Sequence, residues 1–246
     1  MKIIDTIQEA SPRVKARIAG LFDLLEALTS GLGQVIIPGM LIVSGNAAAT
    51  AANVLAHGPL FRLSILLALL GVACHIAWTY LFYELFKAVN RNLSLLAVFF
   101  SLVAMALQAF SSTLQAAPLV ILEGGPAFAA FTADQLKTLT FLFLSLNARV
   151  FNTYLVFFGF WCVLIGYLIV RSTFMPRILG VLEGLAGLCW LTFIWPPLAH
   201  YVSPYNQIIA GLGEISLMLW LLLMGVNGER WKEQASSTRT LRYQVS

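Results

Sequence analysis

Long apolar runs alternate with short polar connections along almost the whole chain, and the runs have the length of membrane-crossing helices. About 20 apolar residues traverse a hydrocarbon layer as α-helix. Six stretches qualify: roughly Ile18–Met40, Ile65–Phe86, Leu95–Ala116, Phe151–Val170, Ile178–Pro196 and Tyr205–Met224. The pattern predicts an all-α polytopic membrane protein, a six-transmembrane-helix bundle over residues 1–227, followed by a polar, basic tail over 228–246.

Local signals punctuate these runs. Ser11-Pro12 reads as a helix cap followed by proline at the first helical position. Pro38-Gly39 predicts a kink or an end to the first span. Thr50–Ala56, in the connection from Ser44 to Pro59, reads as a short surface helix. Glu123-Gly124-Gly125-Pro126 breaks the chain, and a helix started by Thr132 or Asp134 then meets neither proline nor glycine until Gly159. From Asp134 to Arg171 that helix is about 57 Å long, nearly twice the hydrocarbon thickness. Its amphipathic first part, 134–150, must project outward as a helix extension, lie on the outer interface or bend over the bundle, and a lid over the outer mouth is the favoured expectation. The tail beyond Gly228 is expected to be disordered, with Trp231 and Lys232 at headgroup level.

Composition narrows the class. The chain is 59% hydrophobic and 11% charged, where soluble domains carry about 25% charged residues. No soluble basic face with interleaved aromatics exists, so nucleic acid is not an expected partner; the lipid bilayer is. The net charge of +4 matters less than its placement. Arg62, Lys137 and Arg149 fall on one side of the predicted topology and the other twelve of the fifteen cations on the opposite side. By the positive-inside rule both termini are cytoplasmic. The polar and basic residues up to Arg17 do not read as a cleavable leader. Cys74, Cys162 and Cys189 lie in apolar spans without a CxxC pair and read as reduced gap-fillers.

Against this background Asp23, Glu26, His75, Glu183 and Glu214 stand out, because they lie inside the spans. A carboxylate in the hydrocarbon costs roughly 2.5–3.5 kcal/mol on insertion scales, so such groups are paired or used. Helical rise places Asp23 and Glu183 about 8 Å from the cytoplasmic boundary, Glu26 about 12 Å, and His75 and Glu214 about 15 Å. Gln34 and Gln108 fall deeper, at about 20–24 Å, and Arg149 and Asn152 at the outer boundary. The polar positions share faces: Asp23, Glu26, Ser30 and Gln34 in the first span; His75 and Thr79 in the second; Ser101, Met105, Gln108, Ser112 and Gln115 in the third; Gln207, Gly211 and Glu214 in the sixth.

Glu214, His75, Asp23, Glu26 and Glu183 are therefore the candidate ligand- or ion-binding set, with Gln34, Gln108, Arg149 and Asn152 as outer-mouth polar candidates. Glu214 needs a bound proton or an interhelical partner, and His75 at its depth is the one expected. Asp23 and Glu183 are within range of Arg17 and Arg177, and Glu84 is an ion-paired helix end with Lys87. The Ser, Thr and Gln positions fit interhelical hydrogen bonding at least as well as ligand binding. Gly31, Gly33, Gly184 and Gly187 are expected to permit close helix packing.

Catalytic and cofactor templates are missing. There is no HxxxH, HExxH, GxSxG, P-loop or dinucleotide fingerprint, so no catalytic residue, metal or cofactor is assigned. Arg17–Asp23 and Arg177–Glu183 share a cation, isoleucine, glycine and acid in register, which common helix chemistry explains.

The stretches Arg17–Leu21, Val89–Leu93, Phe157–Trp161 continuing to Tyr167, Phe174–Gly180 and Gly213-Glu214 carry a likeness. On them the chain resembles, over nearly its whole length, the bacterial six-span family known as domain of unknown function 4386. The resemblance implies a membrane location and a six-helix fold and supplies no activity. The expected function is a small carrier or binding protein for a cation, a proton or a lipophilic solute. Alternatives are an intramembrane enzyme using His75 or Glu214 as general base on a lipid or isoprenoid, and a non-catalytic scaffold or sensor partner.

Overall fold

The apolar runs fold into six long helices in a computed structural model that describes residues 10–245, with side chains through Thr238. Spans one to six are Pro12–Leu41, Gly58–Phe86, Arg91–Glu123, Ala133–Arg171, Arg177–Ile194 and Tyr205–Leu223. All are long and apolar enough to cross a membrane, and no strand occurs among the described residues. Each carries one predicted apolar stretch; spans two, three and four run on well past it.

Span six shows why such a helix belongs in lipid. Its large side chains Ile208, Leu212, Ile215, Leu219 and Leu223 are exposed, while Ala210, Gly213 and Leu217 are buried. Large apolar side chains turned outward, over an inner face where Ala210 and Gly213 alternate with Leu217, Met218 and Leu221, suit packing between helices in hydrocarbon.

The chain clusters into two compact units: Met1–Leu24, His75–Ala104 and Leu155–Ser246 form the first, Leu25–Cys74 and Met105–Tyr154 the second. Glycines let the helices of the first unit approach. A Cβ on Gly166 would lie 2.6 Å from the Gly184 nitrogen, and one on Gly180 2.5 Å from the Gly166 oxygen. Gly159 and Gly187 face each other in the same way, and Gly213 lies against Leu182 and Ala186. Gly184 and Gly31, expected among the packing glycines, have open space where a Cβ would stand.

Span six ends at Gly225, whose φ of +69° is the left-handed conformation glycine supplies at helix ends. The Trp220 oxygen accepts from the nitrogens of Met224 and Gly225, and Arg17 Nη2 donates to the Leu223 oxygen at 2.9 Å. Glu84 pairs with Lys87, as expected, and also with Lys15 at 3.4 Å. The tail departs from expectation: Gly228–Val245 is a helix, not disordered chain. Asn227 Oδ1 caps the Arg230 nitrogen. Trp231 Nε1 then donates to the Leu85 oxygen at 2.8 Å and Thr238 Oγ1 to the Ala88 oxygen at 2.9 Å. The first donor satisfies a carbonyl that the end of span two leaves open, and the second one in the turn just after it.

In the second unit the Pro38 kink takes a specific form. Gly31–Ile36 is a π-helical turn, followed by Ile37–Leu41 as α-helix. Proline cannot bond the carbonyl four residues back and its ring crowds it, and a widened turn immediately before Pro38 relieves both. Helix Ala47–Ala56 follows, capped by Asn46 Oδ1, and Asn53 Nδ2 closes the Leu41 oxygen at 3.0 Å. Ile37, Leu41, Val54, Phe61 and Leu144 form the apolar core here.

Span four is a single helix of 39 residues. Residues 134–150 are its first part, so the expected lid is a helical extension with Thr140, Leu144 and Asn147 buried. A reciprocal capping box starts it: Gln135 Oε1 accepts from the Thr132 nitrogen at 2.8 Å, and Thr132 Oγ1 from the Gln135 nitrogen at 3.3 Å. Nothing after that box breaks the helix.

Candidate functional site

The glycine contacts of the first unit decide what surrounds Glu183. Gly159 and Gly166 of span four meet Gly187 and Gly180 of span five, and Cys162 and Glu183 lie inside those two contacts. Close backbone approach thus seats an acid of one helix against a thiol of the other. Glu183 is 1% exposed. The Cys162 thiol is its side-chain hydrogen-bonding neighbour, and its Oε2 has no hydrogen-bond partner.

Two further acids share this environment. Asp23 of span one and Glu214 of span six are, like Glu183, within electrostatic reach of the Cys162 thiol. Glu214 Oε1 accepts a hydrogen bond from Trp190 Nε1 of span five. The cations expected nearby are engaged elsewhere or point away: Arg17 is bound to the Leu223 oxygen, and Arg177 is exposed. Among the described residues no cation pairs with Glu183. Glu183, Glu214 and Asp23, on spans five, six and one, are thus the acids whose charge reaches this thiol.

His75 is fully buried. Its Nε2 lies 3.1 Å from Ser101 Oγ, which is 2.7 Å from Thr79 Oγ1. The ring stacks on Trp78 at 4.4 Å and meets the edge of Phe158 at 5.7 Å. His75 thus has a hydroxyl, and Glu214 an indole, among its hydrogen-bonding neighbours. Aromatic packing explains the arrangement: Trp78 also meets Trp161 at 4.5 Å, filling the space beside the imidazole.

The second unit holds the remaining candidates. Glu26 has Ser30 and Gln108 as side-chain hydrogen-bonding neighbours, and Gln108 Nε2 donates to Ser30 Oγ at 2.9 Å. Gln34 Nε2 donates to Ser112 Oγ at 2.8 Å, and Asn147 Nδ2 to the oxygen and Oγ of Ser111 at 2.8 and 2.7 Å. Much of the predicted polar stripe therefore joins helices to one another. Asn152 is exposed at the lip of a cleft, whereas Arg149 is exposed and does not line it.

Sequence reasoning missed Cys162 and Trp190. Trp190 follows Glu183 by two helical turns on span five, which a facing analysis shows. Cys162 had no signal, since a thiol in an apolar run reads as filler. Among the described residues no three His, Cys, Asp or Glu side chains converge as metal ligands.

Apolar outward faces on six long helices make this an integral membrane protein. No curated protein and no solved structure matches the chain. One family model does, over residues 18–225, a range that reaches into all six spans and holds every candidate acid, and its description is "Domain of unknown function (DUF4386)". The chain belongs to that family.

Proposed function

We propose that this membrane protein binds or translocates a small cation or a proton, or a lipophilic solute coupled to one, and that Glu183, Glu214 and Asp23 hold the positive charge. The observation that carries the reading is the buried Glu183 carboxyl, with one oxygen unpartnered, against a thiol that the charges of Glu214 and Asp23 also reach. An ionised acid removed from water costs several kcal/mol unless it is compensated. Here the compensation available is a mobile cation, of which a proton is the smallest. Ser101 and Thr79 around His75, and Ser30 and Gln108 around Glu26, supply polar groups that a moving charge can use. The distribution of cations supports an orientation with both termini cytoplasmic, and a bacterial plasma membrane is the location that goes with the family resemblance.

The test is flux in proteoliposomes of purified protein. An imposed proton, sodium or potassium gradient should collapse faster than in empty vesicles, and Glu183→Gln should slow the collapse at least tenfold. Wild-type rates equal to those of empty vesicles for all three ions, or flux unaltered by the substitution, would sink the proposal.

A further inference from the structure

A cleft in the second unit is built separately from the acids. Its volume is about 520 Å³, within the range of small-molecule sites. Gln34, Pro38, Phe141, Leu144, Phe151 and Asn152 are among its lining residues, and none of the residues lining it is ionisable. One wall is the π-helical turn Gly31–Ile36 with the proline behind it; the other is the first part of span four.

The π-turn has a visible effect. π-turns inside α-helices are rare and concentrate at functional sites, because the extra residue re-aims the side chains that follow. Here Gly33 presses its backbone onto Ser64 and Ala68, and the next residue, Gln34, reaches the cleft with Nε2 fixed on Ser112. Among the described residues nothing donates to Gln34 Oε1, and the Asn152 amide has no hydrogen-bond partner. The amide nitrogen of Asn147, also in the lining, is committed to Ser111. The free polar capacity includes the anchored Gln34 acceptor, the Asn152 amide that both donates and accepts, and the Ser44 hydroxyl, all of them uncharged. That set matches a hydroxyl or an amide. A charged head would lose its water against a lining with no counter-charge, and the nearest cation on span four, Arg149, lies one turn from Asn152 outside the lining.

We propose that this cleft binds a neutral amphiphile, with a hydroxyl or amide head on Gln34 and Asn152 and a hydrocarbon body along Phe141, Leu144 and Phe151. Every residue involved lies in the second unit and none belongs to the acid cluster, so this binding stands or falls independently of ion flux.

The experiment measures equilibrium binding of radiolabelled dodecanol to the full-length protein in phospholipid nanodiscs, against empty discs. Dodecane, dodecanoate and dodecyltrimethylammonium serve as competitors. Saturable dodecanol binding is expected, displaced at least tenfold less well by each of the three than by unlabelled dodecanol. Gln34→Leu and Asn152→Leu should each weaken it five- to tenfold. Ala148→Phe, which fills the cleft from an exposed position, should abolish it while gel filtration and helix content stay those of the parent. Competition by dodecane as strong as by dodecanol would mean a groove that only takes lipid tails. Preference for either charged head, binding unchanged in all three variants, or no saturable binding would equally overturn the proposal.

Discussion

Gln115 donates its side-chain amide to the backbone oxygen of Gly33 at 3.0 Å, and so span three holds the π-turn of span one in place. The same nitrogen reaches Ser64 Oγ at 2.9 Å, which ties span two into the contact. A carbonyl released by an irregular turn has no water to turn to in this buried setting, and one amide satisfies it.

Gln115→Ala should therefore destabilise the protein by about 2 kcal/mol, since it leaves two buried groups without their donor. Chemical denaturation in mixed micelles measures this. If the cleft depends on the turn as argued, dodecanol binding should weaken in the same variant although Gln115 does not line it. A loss below about 0.5 kcal/mol would show that the turn holds without its bond.

The glycines give a sharper contrast within four residues. Gly180→Ala puts a methyl 2.5 Å from the Gly166 oxygen and should cost about 1–3 kcal/mol by forcing spans four and five apart. Gly184→Ala meets open space and removes a flexible residue from a helix, so it should be neutral or stabilising by up to about 1 kcal/mol. Thermal unfolding of the two purified variants decides the order. Reversal of the two effects would mean the helices pack in a different register.

Much of the architecture was legible because lipid imposes one simple rule: about 20 apolar residues per crossing, with polar groups kept inward. That rule found all six spans and the buried stripe Ser101, Met105, Gln108, Ser112 and Gln115. What it could not find depends on which helix faces which. Glu214 received Trp190 as a partner, and Cys162 came to lie beside Glu183, through glycine contacts made across helices. The tail was misread for a related reason. Its sequence is polar, but Trp231 and Thr238 act as donors to carbonyls at the end of span two and in the turn after it, a role that composition does not encode.

Orientation can be read directly. Cysteines introduced at Ser44 and at Ser236, in a background with the three native cysteines replaced by alanine, report the two sides of the membrane. On intact cells a membrane-impermeant maleimide should label the Ser44 position and leave the Ser236 position unlabelled until the cells are opened. Both positions are exposed, so accessibility within the fold does not confuse the result. Labelling of the Ser236 position on intact cells would invert the topology drawn from the twelve-to-three split of cations.

Glu183 and Glu214 should respond oppositely to the same change. Replacing a buried, incompletely partnered carboxyl by an apolar side chain of similar size is commonly neutral or stabilising by about 1–4 kcal/mol. Glu183→Leu gives up only a weak thiol hydrogen bond, so its unfolding temperature should equal or exceed that of the parent. Glu214→Leu strands the Trp190 indole donor and should lower stability by about 1–3 kcal/mol. Both variants should lose ion flux. Only for Glu183 would that loss come without a loss of stability, which marks an acid retained for what it binds. If Glu183→Leu instead unfolds as readily as Glu214→Leu, the carboxyl is a structural member of the helix contact, and the charge-holding role passes to Glu214 and Asp23.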